Sequence, residues 1–143
     1  MSVVQERGPG RGAVADDDGW VGVCRLDHLA YERGAAALVD GRQVALFRLL
    51  DERVLAVAQH DPFSDAHVMA RGIVGTRTVD GRVVPTVASP MHKQVFDLTT
   101  GRCLEPMGKQ PARGLPADLP TWDVRVVDGD VQVAAAPRAG AGR

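Results

Sequence analysis

Ser89-Pro90-Met91-His92-Lys93-Gln94-Val95-Phe96-Asp97-Leu98-Thr99-Thr100-Gly101-Arg102-Cys103 is the stretch of sequence that decides the fold. It begins with a polar segment in which Ser89 precedes a proline, and a residue in that position is biased toward extended backbone. Residues 96–98 and 102–104 then flank Thr99-Thr100-Gly101, an arrangement typical of two short strands around a turn. The stretch therefore predicts a loop followed by a β-hairpin.

Short strands separated by turns continue on both sides of this hairpin. Residues 36–48 predict a strand, an Asp40-Gly41 turn and a second strand. The clearest hairpin spans residues 122–133 and turns at Asp128-Gly129, because apolar and polar residues alternate there. No segment combines sustained helical periodicity with helix caps. Further strands are predicted at 20–24, 54–58 and 83–88, the last in an edge or irregular position because it contains Pro85.

This pattern predicts an all-β protein, a sandwich or barrel of short antiparallel strands. Its domain is expected to span residues 19–134, with a disordered N-terminal tail at 1–18 and a flexible C-terminal tail at 135–143. Within the domain, residues 64–82 and 105–120 are predicted to be long loops. Loops of that length in a compact domain are often binding elements.

Composition narrows the class of protein. Among 143 residues, 17 are Lys or Arg and 18 are Asp or Glu, for a formal net charge of −1. That balance excludes the basic footprint of a nucleic-acid or anionic-membrane binder. The longest apolar stretches are far shorter than the roughly 20 residues that a membrane span needs, and no secretory leader is predicted. Cys24 and Cys103 lack metal-ligand spacing and are interpreted as reduced cytosolic thiols, with a Cys24–Cys103 disulfide as the alternative.

The stretch 89–103 resembles the second ligand loop of a Rieske iron–sulfur protein, in which Cys-Pro-x-His precedes Phe-Asp-x-x-x-Gly. Asp61-Pro62-Phe63 stands where Cys-Pro-His of the first ligand loop would stand. A Rieske centre needs two Cys thiolates and two His imidazoles. Asp61, Phe63 and Ser89 occupy three of those positions, and only His92 is a ligand type that matches. We therefore expect a Rieske-like fold without a cluster.

From Trp20 to about Val133 the chain resembles the small subunit of assimilatory NAD(P)H-dependent nitrite reductase. The resemblance is carried by Phe47 and by segments 61–64, 71–75 and 88–103. In that family too the Rieske ligand positions are largely lost. The resemblance implies an accessory role in the cytoplasm beside a large subunit that carries FAD, an iron–sulfur cluster and sirohaem and reduces nitrite to ammonium. It leaves open whether NADH or NADPH supplies the electrons.

The chain itself has no Gly-rich phosphate loop, flavin signature or cysteine set for a cluster. We therefore expect no cofactor in this chain, no catalytic residue, and no catalysis by the chain alone. Three alternatives stay open: a Rieske-type [2Fe-2S] electron-transfer protein, a stand-alone Rieske-like binding module, and a mononuclear metal protein. The metal site of the third would consist of His60, Asp61, His67 and His92.

Individual residues of the two loops have structural and functional interpretations. Phe63 is expected to fill the space of the missing cluster, or else to anchor a partner. Asp61 and Ser89 are expected to hydrogen-bond backbone within the loops. His92 is interpreted as a loop anchor. Arg71 either offers its guanidinium to a carboxylate of the partner or is a solvated loop residue.

Overall fold

The computed structural model describes residues 2–4 and 19–139. Within these residues the chain forms strands and three 3₁₀ turns but no α-helix, which confirms the all-β prediction. The 3₁₀ turns are Leu26–His28, Met69–Arg71 and Ala112–Gly114. The strands in chain order are β1 Ser2–Val4, β2 Trp20–Arg25, β3 Gly34–Val39, β4 Arg42–Arg48, β5 Val54–Ala58, β6 His60–Asp61, β7 Ala66–His67, β8 Ile73–Val79, β9 Arg82–Ala88, β10 Val95–Asp97, β11 Cys103–Glu105, β12 Thr121–Trp122, β13 Val124–Val127 and β14 Asp130–Ala134.

The strands assemble into three sheets and one small hairpin. The central sheet has the order β1-β3-β4-β5-β12, a second sheet has the order β11-β10-β9-β8, and a third has the order β13-β14-β2. The hairpin consists of β6 and β7. Neighbouring strands pair antiparallel, except that β1 is parallel to β3.

The central sheet is buried on both faces because β5 is apolar throughout and residues 44–47 of β4 form a continuous buried apolar run. Successive side chains of a strand point to opposite faces. Val44 and Leu46 accordingly belong to a first core cluster with residues of β2 and β14. Ala45 and Phe47 belong to a second core cluster, which is completed by Phe63, Met69, Val87, Phe96 and Leu98. The second cluster lies beneath the loop between β6 and β7 and the loop between β9 and β10.

The predicted strands at 20–24, 36–48 and 54–58 are confirmed as β2, β3 with β4, and β5. The expected loop at 64–82 is wrong for residues 73–79, which form β8 and pair with β9 along seven residues. Exposure explains the error, because β8 is an edge strand with no fully buried residue and therefore lacks a clear apolar face.

Two details of the predicted strands differ from the structure. Trp122 does not join the last hairpin; it lies in β12 and pairs with Ala56 of β5. The strand with Pro85 is not at a sheet edge, since β9 lies between β8 and β10. The β10 ladder ends at Thr86, next to Pro85, which has no N–H to donate to the opposite strand. The carbonyl of Pro85 accepts the Leu98 N–H at 2.9 Å.

Parts of the predicted tails and the alternative disulfide can be compared with the structure. Ser2–Val4, inside the expected N-terminal tail, forms β1. Residues 135–139 of the expected C-terminal tail are described, and there the Arg138 N–H donates to the Thr121 carbonyl at 2.7 Å. The tail predictions at 1, 5–18 and 140–143 lie outside the described residues. Cys24 and Cys103 are not joined in a disulfide, so the alternative disulfide is wrong. The reason is position: Cys24 packs in the first core cluster and Cys103 against the second, on opposite faces of the central sheet.

Candidate functional site

Two loops meet above the second core cluster. The first runs from β6 to β7, and the Asp65 N–H closes it by donating to the Asp61 carbonyl at 2.8 Å. The second runs from β9 to β10, and the Ser89 N–H donates to the Gln94 carbonyl at 2.9 Å. These backbone bonds hold each loop as a compact turn. The loops are therefore shaped independently of any ligand, and their side chains decide what the site can do.

Asp61 connects the two loops through its carboxylate. Its side chain is fully buried. Oδ1 accepts the Phe63 N–H at 2.9 Å, and Oδ2 accepts the hydroxyls of Ser64 at 2.9 Å and Ser89 at 2.6 Å. Hydrogen bonds to an ionised acceptor are roughly twice as strong as neutral ones. The sequence predicted bonds from Asp61 and Ser89 to nearby backbone, and the bond between the two residues themselves is an addition that only the structure reveals.

Ser89 extends this network into the second loop. Its Oγ donates to Asp61 and also accepts the Met91 N–H at 3.2 Å. The hydroxyl is thus used both as a donor and as an acceptor, which matches the bonding capacity of a serine. Two of the four positions that match Rieske ligands are consequently bonded directly to each other.

Phe63 occupies the third of those positions and is part of the core. It is 8% exposed, and its ring lies 6.1 Å from the ring of Phe96, centroid to centroid, at an interplanar angle of 57°. That tilted geometry is a favourable arrangement for an aromatic pair. Because the ring faces the second core cluster, the interpretation as an anchor for a partner is not favoured, whereas the packing interpretation agrees with this burial.

His92 lies at the exposed tip of the second loop, between exposed Met91 and Lys93. Beneath it, Gln94 is fully buried. Its amide nitrogen lies 3.5 Å from the carbonyl oxygen of Pro106, while its Oε1 has no hydrogen-bond partner within the described residues. The ligand-type residue of the second loop is thus exposed to solvent, and the buried position two residues later holds an uncharged amide.

His60 and His67 form a cross-strand pair in the small hairpin, with ring centroids 5.2 Å apart. His60 Nε2 lies 2.7 Å from Asp65 Oδ1, and Arg113 bonds both oxygens of Asp65 at 2.9 Å. Hydrogen bonds from the Arg113 guanidinium and, to a smaller extent, from the His60 ring hold the pKa of the Asp65 carboxyl well below its usual range. Sequence reasoning missed this contact because 48 residues separate Arg113 from Asp65.

The proposed metal site of His60, Asp61, His67 and His92 is not assembled. Asp61 is committed to three internal donors, His60 to Asp65, and His92 is exposed at the loop tip. Across residues 2–4 and 19–139, no three His, Cys, Asp or Glu side chains are placed to hold a metal ion. The part of the chain that is described also contains no helix long and apolar enough to cross a membrane.

Comparison with known proteins assigns the chain to a family. The model of the Rieske-like [2Fe-2S] domain matches residues 19–134. The small subunit of nitrite reductase (NADH) from Salmonella typhimurium is 35% identical over 115 residues, which cover 80% of this chain and 95% of that protein. The crystal structure of a proposed NADH-dependent nitrite reductase small subunit from Mycobacterium tuberculosis is 44% identical, with a TM-score of 0.68; the match covers 82% of this chain and 95% of that one.

A third relative has a different architecture. The large subunit of nitrite reductase [NAD(P)H] from Klebsiella oxytoca is 36% identical over 114 residues, which cover 80% of this chain but only 11% of that protein. A domain similar to this chain is therefore one part of a much longer polypeptide.

Proposed function

The chain belongs to the Rieske-like [2Fe-2S] domain family that includes the small subunits of NADH nitrite reductase, and from this premise we propose that it is the non-catalytic small subunit of a cytoplasmic NAD(P)H-dependent nitrite reductase. Its partner is the large subunit, which is expected to carry FAD, an iron–sulfur cluster and sirohaem and to reduce nitrite to ammonium. The observation that carries the proposal is the match over 95% of a small subunit's length.

The relative from Klebsiella oxytoca supports the choice of partner. There, a domain similar to this chain is covalently joined to the rest of a large subunit. Covalent linkage keeps two modules together in equal number, at a high effective concentration. For a separate chain, the corresponding arrangement is a complex with one small subunit for each large subunit.

The two loops serve this function as scaffold and do not hold a cluster. A [2Fe-2S] Rieske centre needs two thiolates and two imidazoles, and these loops present a carboxylate, a phenyl ring, a hydroxyl and one imidazole. The carboxylate and the hydroxyl are bonded to each other at 2.6 Å, and the ring is packed in the core. This donor set does not fit the cluster, so the chain transfers no electrons through a cluster of its own.

The proposal is tested by purifying the large subunit with and without this chain. We expect the two to co-purify at equal molar amounts and nitrite-dependent oxidation of NADH or NADPH to require the chain, either for activity or for stability of the large subunit. Separate assays with NADH and NADPH identify the electron donor. If activity, assembly and stability of the large subunit are all unchanged without the chain, the proposal is wrong.

The isolated chain provides an independent measurement. We expect iron and acid-labile sulfide well below two atoms each per chain, and no visible absorption from a cluster. Stoichiometric iron and sulfide with a Rieske-type spectrum would instead establish the electron-transfer alternative.

A further inference from the structure

A cavity of about 600 Å³ lies between the segment that leads into β3 and the second 3₁₀ turn. Its polar side chains are those of His28, Arg33 and Arg71, and none of the residues that line it is acidic. An Asp27 oxygen lies 4.0 Å from His28 Nε2, and both of these side chains are exposed. The cavity is thus a concave surface with positive charge along its rim.

The walls of this cavity are fixed by close backbone packing. A Cβ at Gly34 would lie 2.1 Å from the carbonyl oxygen of Ala70, and a Cβ at Gly72 would lie 2.5 Å from that of Ala88. Contacts this short leave no room for a side chain. The second 3₁₀ turn is also held from below, where buried Gln59 accepts the Ala70 N–H at 2.7 Å. The backbone that carries Arg71 is therefore anchored from two sides.

Arg33 and Arg71 differ from those arginines of residues 19–139 that pair with a carboxylate. Within residues 19–139, side chains such as Arg48, Arg53 and Arg113 are paired with carboxylates at 2.8–2.9 Å. Neither Arg33 nor Arg71 forms an ion pair or a side-chain hydrogen bond with any described residue. Two cations without an internal counter-charge thus share one cavity. The residue that follows Gly72, Ile73, is 74% exposed and adds apolar surface beside them.

We propose that this cavity is the docking site for the large subunit and receives a carboxylate side chain from an acidic segment of it between Arg33 and Arg71. The inference rests on the proposed function and adds the surface and the chemistry of contact. A planar guanidinium binds carboxylates with two parallel hydrogen bonds, which gives direction as well as attraction. Ile73 provides adjacent apolar area of the kind found at the centre of interfaces. Charge complementarity is the reason for choosing an acidic occupant.

The first test is charge reversal with a matched control. The double variant Arg33→Glu/Arg71→Glu is compared with Arg82→Glu/Arg102→Glu, which changes the net charge equally at two exposed arginines outside the cavity. Affinity for the purified large subunit is measured by calorimetry at low and high ionic strength. We expect the cavity variant to bind at least about tenfold more weakly at low ionic strength, with a smaller difference at high ionic strength, and the control to bind much as the wild type does.

The outcomes separate this inference from the proposed function. If wild type binds and the cavity variant binds equally well, or the control loses as much affinity, the docking site is wrong while the subunit assignment stands. If wild type does not bind the large subunit, the proposed function fails and the docking site fails with it. Circular dichroism and thermal unfolding identify a misfolded variant, in which case Arg33→Gln/Arg71→Gln replaces it with the same expected direction.

The second test cross-links positions 33 and 71 to the large subunit. In the variant Arg33→Lys/Arg71→Lys, the new amines are joined to neighbouring carboxylates by a carbodiimide, which forms an amide without a spacer. Lys93 and Lys109, the only lysines in the sequence, provide the background. We expect a cross-link from position 33 or 71 to an Asp or Glu of the large subunit, identified by peptide mass spectrometry. Cross-links from Lys93 or Lys109 alone would contradict the proposed site.

Other occupants give distinct results. Sedimentation of the isolated chain detects a second copy, and a dimer that is lost in Arg33→Glu/Arg71→Glu would assign the cavity to self-association. Titration of the isolated chain with inorganic phosphate detects a free small anion, and saturable binding that requires Arg33 and Arg71 would assign the cavity to that ligand. Either result overturns docking of the large subunit at this surface.

Discussion

The loop network around Asp61 and the cavity rim of Arg33 and Arg71 are two charged regions with opposite arrangements. The Asp61 carboxylate is fully buried and meets three donors of its own chain. The two arginines are exposed and have no counter-charge within the described residues. A buried charge must be satisfied internally, because leaving it without partners costs several kcal/mol. An exposed charge has no such requirement and remains available to a partner.

Removing the Asp61 carboxylate tests the first half of this comparison and has the largest expected effect. Asp61→Ala leaves the Phe63 N–H and two hydroxyls without their acceptor, so we expect a loss of about 3 kcal/mol in the free energy of unfolding. Urea denaturation measures it. Asp61→Asn is the matched control, since it retains one carbonyl acceptor and should lose less. Equal stability of Asp61→Ala and wild type would show that the network does not hold the loops together.

Ser89→Ala removes a single link between the two loops. We expect a loss of about 1.5 kcal/mol, because one charge-assisted bond to Asp61 disappears along with the acceptor for Met91 N–H. Ser64→Ala is the control: it removes a bond to the same Asp61 oxygen, within one loop and at a partly exposed position. Urea denaturation of both variants should place Ser89→Ala below Ser64→Ala in stability. The reverse order would argue against a special role for the bond between the loops.

Asp65 is intermediate between the buried, bonded Asp61 and the exposed arginines of the cavity. Its side chain is 36% exposed and is paired with Arg113 and His60. Its pKa in the folded protein is lowered, so the unfolded chain binds more protons as the pH falls below about 5. The stabilisation by this pair is therefore fully present at neutral pH and declines as the solution is acidified. We expect wild type to exceed Asp65→Asn in urea midpoint at pH 7 and the difference to shrink progressively toward about pH 2. A difference independent of pH would exclude this ion pair as its source.

The smallest effect on stability is expected at the cavity rim. Arg33→Gln/Arg71→Gln breaks no bond within the described part of the chain, so the free energy of unfolding should change by less than about 0.5 kcal/mol. Thermal and urea unfolding check this expectation. A loss of several kcal/mol would mean that the two arginines have structural partners, and the contrast with Asp61 would disappear.

Local sequence was enough to predict most strands and to identify the positions in the two loops. The alternation of apolar residues and the Asp-Gly turns depend only on neighbours in the chain, and these segments are β3, β4, β5, β13 and β14 in the structure. β8 was missed because an exposed edge strand has no apolar face for a pattern to reveal. The placement of His60, His67 and His92 could not be predicted for a related reason, since proximity along the sequence does not specify which side chains meet after folding.

The sequence by itself determined the all-β class and the replacement of three Rieske ligand types, because both depend on residue identity. Only the tertiary structure decided what the replacements do: the bond from Ser89 to Asp61 joins residues 28 positions apart, and the packing of Phe63 on Phe96 joins the loop between β6 and β7 to strand β10. The cavity between Arg33 and Arg71 is likewise formed by segments that meet only after folding. Contacts between distant residues depend on how the sheets pack, and no local pattern encodes that packing.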